Sequence, residues 1–147
     1  MTAPHSPRAF SEDEGSALLE LARAAIRTEL RDDGSLRQTL DRTELTAALR
    51  QPRGVFVTLS DRSADRRLRG CIGRIEASTP LYRAVIEVAP QAAIGDPRFA
   101  PLVAEELEQV ELSLSVLSPF RALADPEALP GLAALVSGIT EKPGAVI

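Results

Sequence analysis

The chain has 147 residues, carries 17 basic and 21 acidic side chains, and has a formal net charge of −4. A chain of this length buries roughly 70% of its unfolded surface, so it needs neither a disulfide nor a structural metal to fold. The acidic balance argues against a general nucleic-acid binder. No apolar run near the N-terminus is long enough for a signal peptide or a membrane span. We therefore expect a cytoplasmic protein without membrane contact.

Two residue types that enzymes use most often are nearly absent. His5 is the sole histidine and lies in the polar, proline-rich segment 1–10, which we expect to be a flexible tail. A Ser-His-Asp or Cys-His arrangement is therefore not expected. Cys71 is the sole cysteine, whereas a zinc site needs about four Cys, His or carboxylate ligands. The sequence also has no P-loop or dinucleotide fingerprint, so we expect neither a metal nor a cofactor.

A capping box begins the first predicted element. Ser11 followed by Glu14 predicts the start of an amphipathic helix over residues 12–31. Apolar residues recur behind it at helical spacing: Leu18, Leu21, Ala22, Ala25, Ile26 and Leu30. A second, short helix is predicted within 43–50, and Pro52 ends it.

A β-hairpin is predicted next. Alternation over 54–60 predicts a strand with Val55, Val57 and Leu59 on one face, and the charged stretch 61–67 leads to a return strand over 68–76. A basic cluster spans this loop: Arg62, Arg66, Arg67, Arg69 and Arg74. Because acidic residues lie among them, we interpret the cluster as a solvated loop, with phosphate or RNA contact as the lesser alternative. The basic residues are almost all arginine, which is typical of a high-GC bacterial gene.

Two prolines shape the next predicted helix. Thr79 is expected to be its N-cap and Pro80 its first residue. Pro90 lies inside the same apolar pattern, where proline removes a hydrogen bond and clashes with the preceding turn. We therefore expect either a kink near 87–89 or two abutting helices.

The C-terminal third contains the clearest strand, over 110–116, where apolar and polar residues alternate. Four further elements are predicted, namely a turn at 96–99, a short helix at 103–107, a helical turn at 125–129 and a strand at 133–139. A turn at 141–144 is followed by three apolar residues that resemble the start of a strand, so we expect the chain to be cut there. The order of elements predicts an α+β domain with a mainly antiparallel sheet and helices packed on it.

Four ordered motifs carry a resemblance. They are Gly54–Leu59, Leu68–Gly73, Asp96–Phe99 and Leu114–Ser118. The chain resembles the AMMECR domain family, whose bacterial and archaeal members are called AmmeMemoRadiSam system protein A, with the domain assigned to 11–147. The resemblance implies an α+β fold with a larger and a smaller lobe, and a Memo-type protein and a radical S-adenosylmethionine enzyme as partners. It also implies that a C-terminal strand and helix of the family are missing here. No reaction is established for the family.

Cys71 is the candidate catalytic residue. Cys71 and Ile72 lie between Gly70 and Gly73. Glycines in a strand indicate a bend, a bulge or the close approach of another group. One interpretation is a buried, inert cysteine. The other is a thiolate beside Arg69, which would lower its pKa or bind an anion. In a regular strand the two side chains share a face, but a bulge at Gly70 would change that.

The predicted binding residues lie around the cysteine and in the turn at Pro97: Arg69, Gly70, Ile72, Gly73, Asp96, Arg98 and Phe99. Asp96 either braces the turn at Pro97 or takes part in binding, and Arg98 either forms a structural ion pair or joins Arg69 as a clamp for a small anionic ligand. Phe99 is expected to anchor the core. Two functions follow: an accessory, partner-binding module, which we favour, or a small enzyme or thiol carrier centred on Cys71.

Overall fold

The computed structural model describes residues 10–63, 65–118 and 136–141. Its elements, in chain order, are helices α1 (Glu12–Arg31), α2 (Ser35–Asp41) and α3 (Ala47–Arg50), strands β1 (Val55–Asp61) and β2 (Leu68–Arg74), helix α4 (Leu81–Ile94), a 3-10 helix (Ala104–Gln109), and strands β3 (Val110–Leu117) and β4 (Val136–Thr140). The prediction of an α+β fold is confirmed. None of the described helices is long and apolar enough to cross a membrane.

The four strands form one antiparallel sheet in the order β2-β1-β3-β4. β1 and β2 form the predicted hairpin, and α4 carries the chain from the edge strand β2 across to β3. Val55, Val57 and Leu59 of β1 are fully buried, while Phe56 and Thr58 between them are half-buried, as the alternation predicts. One face of the sheet is therefore the core face.

Helices α1 and α4 pack on each other and cover that core face. The capping box of α1 is present, because Ser11 Oγ accepts from the Glu14 N–H at 3.0 Å and Glu14 accepts from the Ser11 N–H at 2.9 Å. The largest fully buried side chains are aliphatic: Leu18, Leu21, Ile26, Leu49, Leu59, Leu81, Leu112 and Leu114. The described residues share one core, and the smaller lobe stays a prediction.

Helix α4 corrects two expectations. It begins one residue later than predicted, with Pro80 as the N-cap and no side-chain cap, instead of Thr79. It also runs unbroken from Leu81 to Ile94 with Pro90 inside it, so the expectation of two abutting helices is wrong. Burial explains the continuity, since seven residues of this helix pack into the core and tertiary contacts outweigh one missing hydrogen bond.

The remaining elements differ in detail. α2 was not expected, and the helix predicted within 43–50 is only the four residues of α3, capped by Thr46. The predicted strand at 133–139 is observed as β4 in its described part, Val136–Thr140. The helical turn predicted at 125–129, the turn residues 142–144 and the expected tail 1–9 lie outside the described residues.

Candidate functional site

The candidate site lies on the edge strand β2 and is braced by the loop that follows α4. A register shift occurs between Leu59 and Ser60, whose partners are Gly70 and Leu68, so Arg69 is the extra residue of a bulge. The bulge is therefore at Arg69, one residue before the glycine considered in the sequence. It separates the environment of the Arg69 side chain from that of Cys71.

Gly70 and Gly73 lie on opposite faces of β2, and each allows a close approach. A Cβ on Gly70 would lie 2.2 Å from the carbonyl oxygen of Ala92, so the backbone of α4 packs directly on this residue. A Cβ on Gly73 would lie 2.1 Å from the ring of Phe56, its cross-strand partner. Ile72, between them in the strand, is half-buried against the core. Packing against α4 explains the glycine at position 70, and packing against the Phe56 ring explains the one at position 73. Neither explanation requires a ligand.

Cys71 is half-buried and free. Its Sγ lies 3.3 Å from Oγ1 of Thr58, its cross-strand partner on the face of the sheet opposite the helices. Its backbone N–H, on the free edge of β2, donates to Asp96 Oδ2 at 2.9 Å. Its carbonyl oxygen accepts from Arg98 Nη2 at 3.4 Å. The loop after α4 therefore occupies both backbone groups of Cys71.

Asp96 is buried and joins the turn to the strand. Its Oδ1 accepts from the backbone N–H and Nε of Arg98 at 3.0 and 3.1 Å, and its Oδ2 accepts from Arg98 Nη2 at 2.8 Å. These bonds from Arg98, with the one from Cys71, hold the pKa of Asp96 well below its usual range. The carboxylate in turn raises the pKa of Arg98. The pair is thus ionised at any pH near neutrality.

Arg69 and Arg98 each have a carboxylate of their own. Arg69 donates to both oxygens of Glu106, from Nε at 3.2 Å and Nη2 at 3.0 Å, and its Nη1 donates to the Ala100 carbonyl at 2.8 Å. This bidentate pair lowers the pKa of Glu106. A second anion at Arg69 would have to compete with Glu106, and one at Arg98 with Asp96.

Phe99 is not the core anchor that we expected. It is half-buried, and its ring supports the Arg98 guanidinium, whose central carbon lies 5.3 Å from the ring centroid. The Arg98 side chain remains 57% exposed on its outer side. Phe99 therefore stabilises the Arg98 guanidinium and does not anchor the hydrophobic core.

The basic cluster is balanced by acidic residues distant in sequence. Four of its five arginines form ion pairs: Arg62 with Glu141, Arg66 with Glu111, Arg69 with Glu106, and Arg74 with Glu87. All four acidic partners lie outside the loop, so the sequence around the cluster could not reveal them. The pairing reduces the positive potential that a phosphate backbone would require.

A buried ion network lies behind the hairpin and was missed by sequence reasoning. Arg23 of α1 and Glu141, which follows β4, are 7% and 5% exposed and form a bidentate pair at 3.0 and 2.7 Å. Glu141 also accepts from Arg62 and from the backbone N–H of Leu112. The sequence feature that could have indicated this network is Arg23 itself, because it is a charged residue among the buried residues 21–26 of α1. Among the described residues, no group of three or more His, Cys, Asp or Glu could hold a metal ion.

This fold and motif set define a protein family. The sequence matches the AMMECR1 family over residues 19–142, and the chain belongs to that family. It is 48% identical over 110 residues to a protein of Methanothermobacter thermautotrophicus, covering 75% of this chain and 54% of that protein. It is 40% identical over 121 residues to a protein of Aeropyrum pernix, covering 82% and 50%.

A solved structure supports the same assignment. An uncharacterized protein from Pyrococcus horikoshii superposes with a TM-score of 0.61 and 34% identity, covering 80% of this chain and 57% of that one. The chain thus spans about half the length of the curated relatives it matches. These relatives are archaeal, and the bacterial origin suggested by composition stays a prediction.

Proposed function

We propose that the chain is an accessory module of the AMMECR1 family that binds a partner protein, and that its partners are a Memo-type protein and a radical S-adenosylmethionine enzyme. The observation that carries this proposal is the saturation of the candidate site. Asp96 and Arg98 pair with each other and with the backbone of Cys71, and Arg69 pairs with Glu106 and the Ala100 carbonyl. A general acid or base must instead reach a substrate with a free group.

The surface beside this site has the composition of a docking surface. Leu68 and Ile94 are each 37% exposed and Val103 is 52% exposed. The Leu102 N–H donates to the Ala93 carbonyl at 2.8 Å, so the segment that leads into Val103 is joined to the end of α4 that carries Ile94. We call Leu68, Ile94, Val103 and the exposed guanidinium of Arg98 the edge surface. Apolar side chains with an arginine among them are the usual centre of a protein interface.

The test is co-purification of the full-length protein with each proposed partner, with and without S-adenosylmethionine, followed by affinity measurement. A double variant Ile94→Ser, Val103→Ser should weaken binding at least about tenfold, because it removes apolar contacts while leaving the ion pairs intact. The matched control is Ile75→Ser, which removes a 73% exposed apolar side chain at the opposite end of β2, about 23 Å from Leu68. Absence of any complex, or equal affinity of the double variant and the wild type, would refute the proposal.

The alternative, a small enzyme or thiol carrier centred on Cys71, is favoured by one observation. The thiol is half-exposed on the sheet face opposite the helices, and the Arg98 guanidinium reaches the carbonyl of the same residue. A thiol that reacts with iodoacetamide at pH 7 at least about tenfold faster than glutathione would support it. Loss of function in Cys71→Ser with unchanged stability would separate this role from the accessory one.

A further inference from the structure

Helix α4 has a second apolar line of residues, on the side that faces away from the core. Ile86, Pro90 and Ile94 recur every fourth residue, so they share one face of the helix, and we call them the α4 stripe. Ile86 and Pro90 are half-buried and Ile94 is 37% exposed, whereas the buried residues of α4 lie on the opposite face. A backbone hydrogen bond joins the segment that leads into Val103, which is 52% exposed, to the last turn of α4. The stripe and Val103 are therefore accessible apolar surface.

The α4 stripe has opposite charges beyond its two ends. Arg83, exposed in the first turn of α4, forms no ion pair with the described residues. Glu105, exposed in the 3-10 helix that follows Val103, likewise forms none within the described ranges. The exposed acidic residue between them, Glu87, is balanced by Arg74 at 2.8 Å. The surface is thus positive where the stripe begins and negative beyond its end.

A surface with this pattern is complementary to a second copy of itself. A two-fold axis that passes through Pro90, perpendicular to α4, lays the two α4 helices antiparallel, so that Ile86 of each copy faces Ile94 of the other. The same rotation places Arg83 opposite the chain beyond Ile94 of the second copy, on the side where Glu105 follows. Antiparallel helices also oppose their macrodipoles, which is the favourable arrangement. A partner with charges of one sign would match only one end of the stripe.

We propose that α4 forms the contact surface of a two-fold homodimer, with the α4 stripe at its centre and an Arg83–Glu105 pair between the copies at each end. One helix face per copy is a small interface, so we expect a reversible dimer with a dissociation constant of about 10 μM. Ile94 and Val103 also belong to the edge surface. The second copy and the partner protein of the proposed function therefore compete for this end of α4, and the dimer regulates access to it.

Analytical ultracentrifugation of the full-length protein, without any partner, tests the proposal. The average mass should rise from monomer to dimer between about 1 and 500 μM, because the expected dissociation constant lies within that range. Arg83→Glu should weaken dimerisation at least about tenfold, since it sets like charges opposite each other at both ends. Adding Glu105→Arg restores opposite charges and should return the dissociation constant to within about threefold of the wild-type value. Ile94→Ser, which changes no charge, should also weaken the dimer.

The matched control is Arg37→Glu, which makes the same change of charge at an exposed position of α2, a helix that packs on α1. It should leave the dissociation constant unchanged. A protein that stays monomeric at the highest concentration would overturn the proposal, as would a dimer that Arg83→Glu leaves intact or that the double substitution does not restore. Partner binding is measured separately by co-purification, so a dimer without any partner complex would refute the docking function and not the homodimer.

Discussion

The backbone N–H of Cys71 donates a hydrogen bond to the carboxylate of Asp96 at 2.9 Å, across 25 residues of sequence. Cys71 lies on the edge strand β2, where an unpaired N–H is a template for pairing with another chain. Asp96 occupies that donor and Arg98 occupies the carbonyl of the same residue. Two of the family's sequence motifs are thus one structural unit that closes the sheet edge at the cysteine.

Acid should weaken the wild-type fold more steeply than that of an Asp96→Asn variant. Hydrogen bonds from Arg98 and Cys71 hold the pKa of Asp96 below its usual range, whereas in the unfolded chain it titrates near pH 4. The stabilisation from this carboxylate is therefore complete above about pH 4 and is lost as the pH falls towards the lowered folded-state pKa. Glu106, whose pKa is also lowered, contributes with the same sign.

Urea unfolding midpoints measured from pH 7 to pH 2 check this prediction. The asparagine variant should be less stable at pH 7, and its difference from the wild type should shrink below pH 4. Asp41→Asn, at an exposed position of α2, is the matched control and should follow the wild-type profile. Parallel profiles for wild type and Asp96→Asn would contradict the assigned role.

Gly70→Ala should destabilise the fold by about 3 kcal/mol, because a methyl group at residue 70 would lie 2.2 Å from the Ala92 carbonyl oxygen. Relief would require α4 to move away from the sheet. Chemical denaturation measures the change in the free energy of unfolding. Gly138→Ala is the control, since no atom lies within 4 Å of the added Cβ, and it should change stability by no more than about 0.5 kcal/mol.

Glu141→Gln should cost about 3 kcal/mol, because it leaves the buried guanidinium of Arg23 and that of Arg62 without their carboxylate. Hydrogen exchange should show the loss most clearly at β4, which Glu141 joins to β3 and α1. In contrast, Glu87→Gln removes a solvated partner of Arg74 and should cost at most about 1 kcal/mol. Equal effects of the two substitutions would show that burial does not determine the strength of the network.

Pro90→Ala should stabilise α4 by about 1 to 3 kcal/mol, since alanine restores the helical N–H that proline lacks and removes its clash with the preceding turn. The thermal midpoint should rise accordingly. Gln91→Ala, at the exposed neighbouring position, controls for helix propensity alone and should change stability by less than about 0.5 kcal/mol. A destabilised Pro90→Ala protein would mean that the proline ring makes packing contacts worth more than the hydrogen bond.

Local signals predicted the elements that have strong periodicity. The capping box at Ser11 and the apolar spacing of residues 18–30 located α1, and alternation located β1 and β3. The same signals misplaced the start of α4 by one residue, because Thr79 and Pro80 are both acceptable at a helix start. α2 was missed because its N-cap residue makes no side-chain hydrogen bond and only one of its residues is buried.

The order of residues alone was enough to assign the family, the α+β class and the motifs that contain Cys71, Asp96 and Arg98. These assignments depend on residue order and short-range periodicity, which are properties of the sequence itself. The packing of the sheet and helices was needed to show that Asp96 closes the edge of β2, that Phe99 supports Arg98, and which glutamates pair with Arg69 and Arg23. The partners of Arg69 and Arg23 lie 37 and 118 residues away, and their contact exists only after the sheet and helices have packed. Charge pairing between distant segments has no local period, so it cannot be read before the fold is known.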